Sequence, residues 1–239
     1  MTPLVTPLVT PPVQRLRIRY RLTSEAAEVR PGDVGKLWAG AFASAGIALA
    51  RPEGAKRARI ELGPALPQGA TGEREPLDAW IEGHVEPCEV SGRLGGHLPA
   101  GIVPVAVEEI GDRLPSLGAS LRSASYRVTL PTSIDVAALR ERVRALLALD
   151  ALRWVEVRGE RVREVDLRAQ ILNLAVTEDA DSPCVEMRLV LEQERAGRPT
   201  SVLAALGMED VPRALVRTDV EVARPLVALR AWRAVGRFR

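Results

Sequence analysis

Two stretches alternate so strictly that they leave little choice of local structure. In "QRLRIRYRL", residues 14–22, Leu16, Ile18, Tyr20 and Leu22 share one face while Arg15, Arg17, Arg19 and Arg21 share the other. In "REVDLRAQI", residues 163–171, Val165, Leu167, Ala169 and Ile171 oppose Glu164, Asp166, Arg168 and Gln170. Period two fits a strand with one face packed and the other wet, and does not fit a helix. Each apolar face then needs a cover, and helical segments supply it. "PGDVGKLWAGAFASAG" spaces Val34, Leu37, Trp38, Ala41 and Ala45 at helical intervals, with Asp33 at its start and Gly46 as its stop. "SIDVAALRERVRALLAL" places Val136, Leu139, Val143, Leu146 and Leu147 on one stripe, with Ser133 as its cap.

The remaining segments complete an order. After the first helix come strands at "KRARIEL" and "LDAWIEGH", separated by the Gly/Pro-rich loop "GPALPQGATGERE". A glycine-broken helix near 88–97 and the strand "GIVPVAVEEI" follow. Beyond "GDRLPSLGAS" the pattern restarts with "SYRVTL" and the second long helix. "LRWVEV" and "VREVDLRAQI" flank the turn "RGE" as a hairpin, and strands at "LNLAVTE" and "CVEMRLVLE", a short helix "RPTSVLAALG" and the strand "ALVRTDVEV" close the chain. The order strand, helix, strand, strand, helix, strand is that of a ferredoxin-like unit. The expected fold class is α+β: two tandem ferredoxin-like (βαββαβ) antiparallel-sheet units, the second with an added hairpin. The expected divisions are a disordered tail 1–13, units 14–111 and 121–223, a linker 112–120, and a basic segment 224–239.

Composition limits the function. The net charge is only +2, and the basic residues are nearly all arginine, Lys36 and Lys56 being the sole lysines. Codon usage in a GC-rich genome accounts for that bias, and the strong net charge usual in nucleic-acid binders is missing. Cys88 and Cys184 stand far apart without a CxxC, so the sequence writes neither a disulfide framework nor a thiolate metal site, and the thiols read as reduced and cytoplasmic. The opening "MTPLVTPLVTPP" lacks a basic start and is broken by proline, unlike a signal peptide. Nowhere do about 18 uncharged apolar residues run together, so no membrane span is expected.

The polar constellations have competing readings. The arginines at 15, 17, 19 and 21 would grip phosphate or an RNA backbone if their face of the sheet were open. Asp78 and Glu82 of the neighbouring strand would instead neutralise them across the strands. With 3% aromatic residues the chain has few rings on which to stack bases. His84 and His97 have only the loose neighbourhood of Glu86 and Cys88, so no ligand set for iron or zinc is apparent and no cofactor is expected. No G-x-S-x-G, H-E-x-x-H, Walker loop or G-x-G-x-x-G occurs. Glu108 and Glu109 are adjacent on a strand and point opposite ways, so they form no acid/base dyad. Asp166 and Arg168, two apart on one strand, would lie about 7 Å apart and anchor the strand or a partner.

At Val165, Asp166, Leu167, Arg168 and Ile171 the chain resembles the DUF2344 group of bacterial radical-SAM-linked proteins, whose members have a strand reading Lys/Arg-x-Val-Asp-Ile/Leu-Arg-x-x-Ile. "RLRIRY", "RPTSVLAALG" and Val216, Arg217 and Thr218 fall in the family's order, so the resemblance spans nearly the whole chain after the tail. Asp78 matches a family aspartate. Two departures stand out. Where the family has Ser-His-x-Asp, this chain reads Arg30, Pro31, Gly32, Asp33. Where it has Gly-Phe-Asn-Pro-His-Pro, this chain keeps Gly54, Arg59, Ile60, Leu66, Pro67 and Gly69 without the asparagine or histidine.

The resemblance implies association with a radical SAM protein. Ribosomal and endoribonuclease genes near other members imply an RNA- or ribosome-linked role. A radical SAM cluster is held by cysteine thiolates that two distant cysteines cannot supply, so radical chemistry would belong to the partner. The expected function is therefore a non-catalytic accessory protein of a radical SAM enzyme, with an RNA- or ribosome-binding module on the arginine face as the alternative.

Overall fold

In a computed structural model, the structure describes residues 13–223 apart from 27–28, 53, 56, 159–160, 180–181 and 212. The N-terminal tail through residue 12 and the basic segment 224–239 lie outside the described residues.

The elements run β1 (Val13–Leu22), α1 (Val34–Ser44), β2 (Ile60–Leu62), β3 (Thr71–Glu82), α2 (Pro87–Gly95), β4 (Ile102–Ile110), α3 (Leu117–Ser120), β5 (Leu121–Thr129), α4 (Val136–Leu147), β6 (Arg153–Arg158), β7 (Arg161–Asp166), β8 (Ile171–Asp179), β9 (Ser182–Val190), α5 (Pro199–Ala205) and β10 (Ala214–Val222). This is a mixed architecture of helices on a large mixed sheet. β4-β1-β3-β10-β5-β9-β8 form one continuous sheet, β2 pairs with β3, and β6-β7 stand apart as a two-stranded sheet. β2 and β10 share one edge of β3: β2 lies opposite Leu77–Ala79, while β10 runs parallel at Thr71 and Gly72. That short parallel step joins the halves of the chain.

The alternation of β1 holds. Leu16, Ile18 and Tyr20 pack on Leu77, Ala79 and Ile81 of β3, under Val34, Trp38 and Phe42 of α1 and Val90 and Leu94 of α2. A second core sets Ala124, Tyr126 and Val128 of β5 and Val185, Met187 and Leu189 of β9 beneath Leu139, Val143 and Leu146 of α4 and Val202 and Leu203 of α5. Each fully buried Leu, Ile or Val contributes about 1.5–3 kcal/mol by leaving water.

Helix ends follow local chemistry. Gly46, with φ 67°, takes the left-handed position after α1 that costs other residues a clash. The cap of α4 is Asp135, whose carboxylate accepts from the Ala138 N–H at 3.0 Å, and not Ser133. A carboxylate is at least as good an Ncap as a hydroxyl and suits the positive end of the helix dipole.

Three further expectations are corrected. "GATGERE" is not all loop, because β3 begins at Thr71. The linker carries the short helix α3. "REVDLRAQI" is not one strand: β7 ends at Asp166, a 3-10 turn spans Arg168–Gln170, and β8 starts at Ile171.

Candidate functional site

The arginine ladder is not an open face. Asp78, fully buried on β3, sits opposite Arg17 in the register and takes both neighbouring guanidiniums. Arg17 donates through Nε to Oδ1 at 2.7 Å and through Nη2 to Oδ2 at 2.8 Å. Arg15 donates to Oδ2 from Nη2 at 2.6 Å and from Nε at 3.2 Å. Its remaining donors reach the carbonyls of Leu114 at 2.8 Å and Pro115 at 2.9 Å, so the linker lies over this face. Arg15 and Arg17 are only 1% and 6% exposed. Buried guanidiniums need such full pairing, because an uncompensated buried charge is costly.

Arg19 donates through Nη1 to the backbone, reaching Val220 O at 2.7 Å, and burial foremost lowers its pKa. Arg21 is exposed. Glu82, the other carboxylate expected to pair here, lies exposed opposite Val13 at the strand end. The guanidiniums of Arg15 and Arg59 lie over the Trp80 ring at 4.6 and 3.9 Å, and Trp80 Nε1 donates to Asp112 at 2.7 Å. Trp80 belongs to the same alternation as Asp78, which puts an indole among the arginines.

On the opposite face a second buried pair spans the join between the halves. Glu75 falls in the alternation of Leu77, Ala79 and Ile81, toward the helices. Arg217 of β10 donates to it through Nε at 2.9 Å and also through Nη2. Arg217 further donates to the carbonyls of Pro64 at 2.6 Å and Ala65 at 3.4 Å in the β2–β3 loop. Burial works against the Arg217 charge, but the hydrogen bonds and charge of Glu75 outweigh it and leave its pKa raised. Gly72 makes room for this pair, since a Cβ there would come within 2.8 Å of three Glu75 side-chain atoms. Glu75 had no signal in the sequence, for a run of glycine and charges reads as loop. Only the extension of β3 to Thr71 puts it on the packed face.

Asp166 and Arg168 do not meet as a strand-face pair. Asp166 caps the turn between β7 and β8, accepting from the N–H of Leu152 at 2.9 Å and of Ala169 at 3.3 Å. The Leu152 N–H foremost holds its carboxyl below the usual range, and the Arg168 charge is the least of the causes. Arg168 points elsewhere, donating to Leu147 O and Ile171 O, both at 3.2 Å. It thereby ties the end of α4 to the start of β8.

Beside Glu75 lies a cavity of about 420 Å³, floored by Tyr20 and Glu75 and walled by the turn after β1, the start of α1 and the β2–β3 loop. Pro31 and the stretch Leu66–Gly69 line it. Burial foremost, with the Glu75 charge behind it, raises the Tyr20 pKa and keeps that phenol neutral. His84 and His97 are exposed, and His84 lies 3.1 Å from Glu86. Cys88 is exposed and Cys184 buried. Among the described residues no three His, Cys, Asp or Glu side chains converge on a metal position. No described helix is long and apolar enough to cross a membrane.

Fold and site together define a mixed α/β protein whose buried charges pair with one another beside a loop-walled cavity. The chain belongs to the DUF2344 family, described as an uncharacterized protein conserved in bacteria, with residues 15–199 matched. The match ends at the start of α5, short of Val216, Arg217 and Thr218. No curated protein matches the sequence. Among solved structures, the chain is similar to a crystal structure described as that of a glycine cleavage system transcriptional repressor, at 12% identity and TM-score 0.23 over 88% of this chain and 99% of that one. It is also similar to an unknown protein from Galdieria sulphuraria, at 13% identity and TM-score 0.27 over 89% of this chain and 100% of that one.

Proposed function

We propose that the chain is a non-catalytic accessory protein of a radical SAM enzyme, built as two ferredoxin-like units side by side. Each half sets its four sheet strands in the order fourth, first, third, second, as β4-β1-β3-β2 and β10-β5-β9-β8, which supports the paired-unit reading. The observation that carries the accessory reading is the state of Asp78. Both of its oxygens are taken by Arg15 and Arg17, so the buried carboxylate that matches a family position acts as an anchor and has no geometry for general-base work. The radical SAM partner comes from the family resemblance alone, and its chemistry would be its own. The RNA reading retains less support, since Arg15 and Arg17 are spent inside the fold.

The test is isolation of the tagged full chain from its native cell, with bound protein and RNA analysed separately. The expected result is a radical SAM protein at about one copy per chain whose turnover rises when the chain is added back. RNA recovered alone, in amounts that fall steeply with salt, would replace this reading with the ribonucleic one.

A further inference from the structure

We propose that the cavity beside Glu75 is a binding site for a small, neutral, apolar molecule carrying one hydrogen-bond donor, an N–H or O–H group. This does not depend on whether a radical SAM enzyme is the partner. At about 420 Å³ the cavity falls within the range of small-molecule sites, which are mostly apolar with a few placed polar groups. Leu22, Val34, Leu62, Leu66, Pro64 and Pro67 give it an apolar wall.

The polar end is Glu75, whose side chain is only 5% exposed and lines the cavity. A carboxylate has about four acceptor positions. Arg217 uses one on each oxygen, so acceptor capacity remains for a donor brought by a ligand. The charge of Glu75 is already balanced by Arg217, which removes the need for a cationic ligand. An anion is disfavoured on two counts. Among the described residues no lysine, arginine or histidine lines the cavity. The guanidinium of Arg217 beside the cavity is engaged with Glu75 and with the Pro64 and Ala65 carbonyls. Those two carbonyl bonds fix the loop wall from the other half of the sheet, and Pro64 and Pro67 stiffen it further. A wall held in this way loses little freedom when a ligand enters.

The probe is N-phenyl-1-naphthylamine, an apolar molecule with a single N–H, titrated into the isolated full chain by fluorescence. Saturable binding of about one probe per chain is expected. Gln68→Trp at the exposed mouth and Leu66→Asp in the wall should each weaken it at least tenfold while leaving the circular dichroism and Tm in place. Either variant suffices if the other misfolds. The N-methylated probe, which lacks the donor, should bind about tenfold more weakly, and millimolar inorganic phosphate should not displace the parent probe. Absence of saturable binding, or binding that both folded variants retain in full, overturns the site. Equal affinity for the two probes, or displacement by phosphate, overturns the ligand class.

Discussion

Asp78 holds two guanidiniums with one carboxylate in a place that water does not reach. Replacing it by asparagine keeps the shape but leaves Arg15 and Arg17 as like charges without the carboxylate that lies between them. The loss of one member of a buried ionic network typically costs about 3–5 kcal/mol. Asp78→Asn should therefore lower stability by about that much, read from denaturant titrations, and a neutral result would mean that water reaches the arginines. The pairing was legible in the sequence because alternation in both strands put Asp78 on the arginine face. Glu75 was not, because its strand was hidden by glycine and charge. The chain's two tyrosines, Tyr20 and Tyr126, are both buried, and burial foremost raises both pKa values. In the unfolded chain they ionise near pH 10. A raised folded pKa means their contribution is whole below about pH 10 and is lost as pH rises toward the folded values. Tyrosinate absorbance near 295 nm should consequently appear only together with loss of circular dichroism, and ionisation ahead of unfolding would show that a phenol is open to solvent.

At the scale of elements, the long alternation of residues 163–171 misled about geometry. Period two is a statement about faces only as long as the backbone stays extended, and here it stops at Asp166. An aspartate that takes two backbone N–H groups offers the chain a turn that competes with the strand, and the alternation cannot register that competition. The consequence is that Asp166 and Arg168 do separate jobs, one capping the turn and one tying α4 to β8. Asp166→Asn and Arg168→Gln should each lower Tm, and their effects should add in a double-mutant cycle. Strong coupling between them would restore the direct pair. For Asp166 the pH dependence has a definite sign. Its lowered folded pKa gives a contribution that is present above the unfolded value and lost as pH falls through the folded one.

Across the whole molecule the two hydrophobic cores sit on one sheet but do not merge, and what lies between them is charge. Glu75 with Arg217 occupies the helix-side face of the join. On the other face Arg19 reaches Val220 O and Arg74 reaches Asp219 at 3.4 Å. The mixture of helices and strands was legible from the sequence because both ends of the chain carry clear alternations and helical stripes. The join was not, since it rests on two residue pairs between β3 and β10 and on ion pairs linking positions remote in sequence. Such a join makes each half depend on the other: without β10, Glu75 would be a buried carboxylate lacking its cation, and without β3, Arg217 would be a buried cation lacking its carboxylate. The molecule should therefore unfold in one cooperative transition, with the slowest-exchanging amides of β1 and β5 reporting the same free energy by hydrogen exchange. Arg217→Met should lower that value by about 3–5 kcal/mol in both strands together, because it leaves Glu75 unpaired inside the fold. If β5 alone were weakened, or if the halves melted in two steps, the charged join would be a contact between independent domains instead of the element that makes them one.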